Sequence, residues 1–81
     1  MSKTIKVNVG NVFEDSGGDE EFDEELFREN INEITVYDCE AILEGTAYTW
    51  LFLIALDVCS RNCKKVFYKD YGKPILVCDN T

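Results

Sequence analysis

The chain contains no histidine and no long hydrophobic run. Histidine is the most frequent general base in enzymes, so its absence argues against a serine, cysteine or threonine nucleophile with the usual activating partner. The densest apolar run, residues 47–56, is about half the ~20 residues that a transmembrane helix needs, and no secretory signal is recognisable. We therefore expect a soluble cytoplasmic protein that is not an enzyme.

Metal-binding patterns are also poorly represented. The chain has four cysteines, at positions 39, 59, 63 and 78, of which only Cys59 and Cys63 are closely spaced. A structural zinc site usually needs two such pairs, so reduced, buried thiols are the favoured interpretation and zinc is the alternative. The acidic residues 15–21 lack the alternating ligands of a helix-loop-helix calcium site. The sequence predicts neither a metal nor a cofactor.

Negative charge is concentrated in one segment. Residues 14–29 contain nine carboxylates and one base, Arg28, so they carry the whole net charge of −8, and the rest of the chain is neutral. Such segregation favours binding through an electrostatic field. With a pI near 4.3, direct binding to nucleic acid or to anionic membranes is disfavoured, because these carry charge of the same sign. A protein partner with a basic surface fits this charge.

Residues 1–81 are short enough for a single domain. Apolar and polar residues alternate over residues 4–9, and β-branched or aromatic residues are frequent in 33–39, 65–69 and 74–78, which predicts four strands. An acidic loop and helix are predicted over residues 14–31, and an apolar helix over 46–61 with Gly45 or Thr46 as its N-cap. The order β-α-β-α-β-β predicts an α/β fold with a small single-layer mixed sheet of about four strands and two helices.

The predicted long helix has two apolar stripes. One stripe is suited to face the sheet: Ala47, Leu51, Ile54 and Val58. The other lies about 110° away around the helix and contains Tyr48, Phe52, Leu56, Cys59 and Cys63. The sheet cannot cover both stripes, so the second stripe packs against the acidic helix, forms an interface with a second copy or another partner, or stays as an exposed apolar patch. Tyr48, Phe52 and Leu56 are the residues predicted to form a homodimer interface.

One family resemblance accompanies these patterns. Residues 34–56, with the turn Glu44-Gly-Thr-Ala, followed by residues 63–68, resemble the central strand, loop, helix and strand of STAS-like domains, the anti-sigma-factor antagonist family. Glu44 matches the acidic position of the family motif, and Thr46 falls on the hydroxyl residue that a partner kinase phosphorylates. The resemblance covers residues 5–69 and implies a STAS-like protein-binding module that is switched by added charge.

Two functions fit the sequence. The first is a small acidic regulatory module that binds a protein partner without catalysis. Its predicted partner-binding residues are Asp19, Glu20, Glu21, Asp23, Glu24, Glu25, Glu44, Thr46 and Tyr48. The alternative is a phage-encoded acidic inhibitor that mimics nucleic acid and occupies the basic groove of a nucleic-acid-binding protein, as an anti-defence protein does.

Overall fold

The computed structural model describes residues 3–35, 38–69 and 71–81, which form a small α/β fold. The described residues contain four strands and four helices: β1 (Thr4–Asn8), α1 (Val9–Asp15), α2 (Gly18–Glu21), α3 (Glu24–Ile34), β2 (Cys39–Glu44), α4 (Thr49–Asn62), β3 (Cys63–Tyr68) and β4 (Ile75–Asp79). The predicted α/β class and mixed four-stranded sheet are confirmed, whereas the number of helices is larger than predicted.

The sheet has one covered face and one open face. Its strand order is β1-β2-β3-β4, in which the first three strands are parallel and β4 is antiparallel to β3. Successive crossovers between parallel strands have the same hand, so α1–α3 and α4 pack on the same face. Val7, Ala41 and Val66 are fully buried beneath these helices. On the opposite face, Lys6 is exposed and Phe67 is only half-buried.

The core lies between the sheet and the two longest helices. Leu51 and Ala55 of α4 and Phe27 and Ile31 of α3 are fully buried. Each pair is spaced by one helical turn, so its side chains lie on the same side of their helix. Burial of one large apolar side chain stabilises the fold by about 1.5–3 kcal/mol, which makes this layer the main support of the fold.

The position of β2 differs from the prediction. The sequence predicts the strand at residues 33–39, but Glu33 and Ile34 belong to the end of α3, and residues 36 and 37 of the predicted strand lie outside the described residues. In β2, alternate side chains are buried: Cys39, Ala41 and Leu43. The position of β2 thus follows the alternation of buried and half-buried side chains over residues 39–44. It does not follow the higher β-propensity of residues 33–39.

The acidic segment is also more helical than predicted. α1 follows β1 directly, because the Asn8 side chain caps it by accepting a hydrogen bond from the Asn11 N–H at 3.1 Å. The predicted acidic loop and single helix are therefore wrong in detail. α2 ends at Glu21, and α3 begins after Asp23, whose carboxylate accepts a hydrogen bond from the Leu26 N–H at 3.1 Å.

The long apolar helix is confirmed in position but not in its start. α4 begins at Thr49, and its N-cap is Tyr48, whose side chain makes no capping hydrogen bond. The predicted N-caps, Gly45 and Thr46, lie in the preceding turn. Gly45 has a φ of 99°, a left-handed conformation that glycine adopts without steric cost, and this turn delays the helix by one turn relative to the prediction.

Candidate partner-binding surfaces

An acidic surface forms on α2 and on the beginning of α3. Its six carboxylates are all exposed: Asp19, Glu20, Glu21, Asp23, Glu24 and Glu25. Acidic side chains are favoured in this position, because the unpaired backbone N–H groups of a first helical turn carry partial positive charge. The structure brings together six of the seven acidic residues that the sequence predicts as partner-binding residues, whereas the seventh, Glu44, lies at the end of β2.

Three of these carboxylates already have partners within the protein. Asp19 accepts a hydrogen bond from the Tyr48 hydroxyl at 2.8 Å, Asp23 caps α3, and Glu24 forms an ion pair with Arg28 at 3.0 Å. Among the described residues, no ion pair or side-chain hydrogen bond involves Glu20, Glu21 or Glu25. These three carboxylates are therefore the ones most available to a partner.

An aromatic pair adjoins the acidic surface. The rings of Tyr48 and Trp50 are stacked, with centroids 5.8 Å apart and an interplanar angle of 7°. Phe13 and Phe22 meet the Trp50 ring edge to face, which is a favourable geometry for aromatic rings. Tyr48 and Trp50 both remain about half exposed. The hydrogen bond to Asp19 raises the pKa of Tyr48, because the carboxylate favours the protonated hydroxyl. Tyr48 thus links α4 to the acidic surface.

The turn of residues 44–48 lies between β2 and α4. Glu44 is half-buried at the end of β2, and Thr46 is exposed. The turn sits closely on the start of α1, since a Cβ atom added at Gly10 would collide with the Thr46 carbonyl oxygen. Thr46 therefore lies against the start of α1, but it precedes α4 and does not cap it.

A second surface is an apolar groove of about 340 Å³ between α4 and the strands β2, β3 and β4. Its lining residues are Leu43, Ala47, Thr49, Phe52, Leu53, Leu56, Tyr68 and Val77. The Phe52 and Tyr68 rings meet edge to face, with centroids 5.3 Å apart. Two residues of the predicted dimer stripe, Phe52 and Leu56, thus lie in this groove, whereas Tyr48 belongs to the aromatic pair at the acidic surface.

The acidic helix α3 does not cover the stripe in the groove. It packs on another side of α4, where Arg28 forms an ion pair with Asp57 at 2.7 Å and the Asn62 side chain donates a hydrogen bond to Asn32 at 2.7 Å. None of the residues that line the groove belongs to α3. The expectation that the acidic helix covers Phe52 and Leu56 is therefore wrong.

Ion pairs join α3 to α4. Arg28 lies between Glu24 and Asp57, and Arg61 contacts Asp57 at 3.1 Å from the other side. The hydrogen bond from Arg28 lowers the pKa of Asp57, and the same contacts raise the pKa of Arg28. These exposed pairs fix the relative position of the helices more than they stabilise them, since such pairs are worth little in water.

Three cysteines lie together in the core. The sulfur atoms of Cys39 and Cys63 are 2.9 Å apart, and Cys59 is also buried. Burial raises the pKa of Cys59 to about 12 and also raises the pKa of Cys63, so both thiols are protonated at neutral pH. Within the described part of the chain, no three or more His, Cys, Asp or Glu side chains are arranged so that they could hold a metal ion.

No protein-family model, no curated protein and no solved structure matches this chain. In the residues that the structure describes, no helix is both long enough and apolar enough to cross a membrane.

Several surface residues were not predicted from the sequence. Trp50 joins the acidic surface only because the turn before α4 orients it beside Tyr48. Leu53 and Val77 line the groove from two elements that are distant in the chain. The sequence pattern that could have indicated them is the high apolar content of α4 and β4, since one sheet face and one helix face cannot bury all of these side chains.

Proposed function

We propose that this protein is a small regulatory module that binds a protein partner through the acidic surface and the adjoining Tyr48–Trp50 pair, and that it acts without catalysis. The observation that carries the proposal is the position of the exposed carboxylates Glu20, Glu21 and Glu25 on the two helices beside this half-exposed aromatic pair. Charge and aromatic area are thereby available together.

The chemistry of this surface suits a basic partner. Carboxylates that lack partners within the protein attract lysine and arginine over several ångströms and accelerate association. Tyrosine and tryptophan rings provide contact area and bind an arginine guanidinium through cation–π attraction. We therefore expect the partner to present arginine or lysine side chains on a protein surface in the cytoplasm.

The groups available for catalysis support the same proposal. The chain has no histidine, and burial raises the pKa of Cys59 to about 12. The chain thus lacks the side chain that most often acts as a general base near neutral pH, and the Cys59 thiol stays protonated there. A regulatory role that depends only on binding fits these residue types. The STAS-like character proposed from the sequence of residues 34–56 is consistent with the same role.

The proposal predicts that partner binding depends on the position of the charges and not only on their number. Glu20→Gln, Glu21→Gln and Glu25→Gln are combined in one variant. A control variant combines Glu14→Gln, Glu29→Gln and Glu33→Gln, which are exposed acids outside the acidic surface. Proteins captured from cell extract on the immobilised wild-type chain are identified by mass spectrometry, and each is then purified and titrated against both variants.

We expect the first variant to lose most of its affinity and the control to keep most of it. Binding to the wild type should also weaken with salt, because the Debye length falls from about 10 Å at 0.1 M to about 3 Å at 1 M. Equal affinity for both variants would contradict the proposal. A Thr46→Asp variant tests regulation at the turn: it should change affinity for the same partner if added charge there acts as a switch.

The alternative of a phage-encoded nucleic-acid mimic uses the same surface, since α2 and α3 present their carboxylates along consecutive helices. The two functions differ in the identity of the partner. A mimic should bind a nucleic-acid-binding protein and be displaced by DNA or RNA, whereas the partner of a regulatory module should bind equally well when nucleic acid is present.

A further inference from the structure

Three of the four cysteines meet at one end of the core. Cys39 is the first residue of β2, Cys63 is the first residue of β3, and Cys59 lies one helical turn before Cys63 in α4. All three are buried, whereas Cys78 of β4 is half-buried. The function proposed above uses none of these thiols.

Cys39 and Cys63 are direct neighbours across the sheet. They are register partners in the parallel pair of β2 and β3, and one thiol donates a hydrogen bond to the other, with 2.9 Å between the sulfur atoms. Neighbouring strands lie about 4.7–4.9 Å apart, which is inside the range of about 4.4–6.8 Å between Cα atoms that a disulfide bond spans. Because the two side chains also point toward each other, only a small movement is needed to join them.

The pair lies where the sheet is least regular. The register of β2 and β3 shifts between Cys39 and Glu40, so Cys39 and Cys63 are outside the regular part of the ladder. The ends of strands open more readily than their centres. The backbone can therefore adjust more easily here than at Ala41 and Val66, which are paired inside the sheet.

We propose that Cys39 and Cys63 form a reversible disulfide that joins β2 to β3 when a small-molecule disulfide such as oxidised glutathione oxidises the protein. One cysteine attacks a sulfur atom of the oxidant as its thiolate and releases the first glutathione. The other cysteine attacks the mixed disulfide and releases the second glutathione. The two cysteines lose two electrons and two protons, which the oxidant gains as it becomes two thiols. Exchange with excess glutathione reverses the reaction.

Burial determines when this bond forms. Cys39 is 1% exposed and Cys63 is 4% exposed, so the oxidant reaches them only while this end of the sheet is open. Buried, protonated thiols also react slowly. The pair therefore stays reduced in a reducing compartment and responds to sustained oxidation, which is the behaviour of a redox sensor.

The disulfide stabilises the fold at a distance from the proposed partner-binding surface. It closes a loop over residues 39–63, which contains β2 and α4, and such a cross-link restricts the unfolded chain. The cysteines lie at the C-terminal end of α4, and Tyr48 and Trp50 lie at its N-terminal end. We therefore expect oxidation to raise stability and to leave partner binding unchanged, so the two proposals can fail separately.

Two matched variants test the pairing. Cys59→Ala combined with Cys78→Ala retains Cys39 and Cys63, whereas Cys39→Ala combined with Cys78→Ala retains Cys59 and Cys63. Circular dichroism checks that each is folded, and mass spectrometry counts its free thiols after incubation with oxidised glutathione. We expect the first variant to convert both thiols into an internal disulfide, and its urea midpoint to rise by about 1–3 M relative to the same sample with reductant. The second variant should form no internal disulfide.

Peptide mapping of the oxidised wild type does not depend on the stability of any variant. Chymotrypsin cleaves after Tyr48 and Trp50, which separates Cys39 from Cys59 and identifies the linked cysteines. We expect a link between Cys39 and Cys63. A link between Cys59 and Cys63, equal oxidation of both variants, or buried thiols that all survive prolonged oxidation would overturn the proposal. A bond between Cys39 and Cys63 that lowers the urea midpoint would do so as well.

Discussion

The two sides of the molecule differ in how they can bind. Beside β1, α2 and α3 expose carboxylates, and several of these are fixed by caps and ion pairs. Beside β4, α4 and the edge strand expose apolar side chains such as Leu53 and Val77 among lysines. The first side is suited to salt-sensitive recognition, and the second to salt-resistant packing. The described residues therefore offer two surfaces of different chemistry.

The sharpest comparison lies within α4, where two leucines differ in burial. Leu51 is fully buried and Leu53 is 61% exposed. We expect Leu51→Ala to lower the free energy of unfolding by about 2–5 kcal/mol, because it removes buried surface and leaves a cavity. Leu53→Ala should change it by less than about 0.5 kcal/mol in the monomer. Urea unfolding at low protein concentration measures both, and similar losses would show that the exposed side is part of the core.

The next effect concerns the turn that connects the two sides. Gly45 has a φ of 99°, and a Cβ there would collide with the Asn8 side chain that caps α1. We expect Gly45→Ala to lower the free energy of unfolding by about 2–3 kcal/mol, from backbone strain and loss of the cap. Gly72→Ala is the control, because Gly72 has a φ of 87° but no atom within 4 Å of the added Cβ.

Gly72→Ala should cost only about 1 kcal/mol, from the backbone term alone. Chemical denaturation of Gly45→Ala and Gly72→Ala measures both losses of unfolding free energy. The difference between them is the contribution of the collision with Asn8. Equal losses would mean that the contact between Gly45 and Asn8 does not contribute to stability.

The smallest effect is a pH dependence at the contact between the acidic side and α4. Arg28 lowers the pKa of Asp57 below its ordinary value of 3.8, so the charged contact stabilises the fold above about pH 4 and is lost as the pH falls through the lowered pKa. Asp57→Asn should therefore be less stable than the wild type at neutral pH, and the difference should shrink in acid.

Denaturant titrations at neutral and acidic pH measure this difference. Glu29→Gln serves as the control, because it removes an exposed acid from the middle of α3 that forms no ion pair among the described residues. A difference between wild type and Asp57→Asn that does not change with pH would indicate that packing, and not the ion pair, is lost.

The periodicity of apolar residues predicted the strands and helices in which the apolar positions of the sequence are also the buried ones. β1 alternates, the body of α4 is apolar, and β3 and β4 have the expected residue types. α1 was missed because its cap, Asn8, belongs to a strand and its second residue, Gly10, usually interrupts structure. β2 was misplaced because the β-branched residues near the end of α3 outweighed the weaker alternation of residues 39–44.

The sequence predicted the charges of the candidate site and Tyr48, but not the contact that places Tyr48 beside the carboxylates. Exposure of Glu20, Glu21 and Glu25 follows from composition and the helix-terminus preference. The contact between Tyr48 and Asp19 joins residues that are 29 positions apart, and such long-range contacts leave no local pattern. The sequence also did not predict that Tyr48 would separate from Phe52 and Leu56. This separation depends on the residue at which α4 begins, which the preceding turn determines.

The stacking of Trp50 on Tyr48 makes the protein its own optical probe. Trp50 is the sole tryptophan of the chain, and its half-exposed indole stacks on Tyr48, whose hydroxyl donates a hydrogen bond to Asp19 of α2. A ligand that covers the Tyr48–Trp50 pair alters the polarity around the indole. The emission wavelength of Trp50 should therefore shift on binding, without an attached dye. Trp50 does not line the apolar groove, so we expect its emission to respond more strongly to occupancy of the acidic surface than to occupancy of the groove.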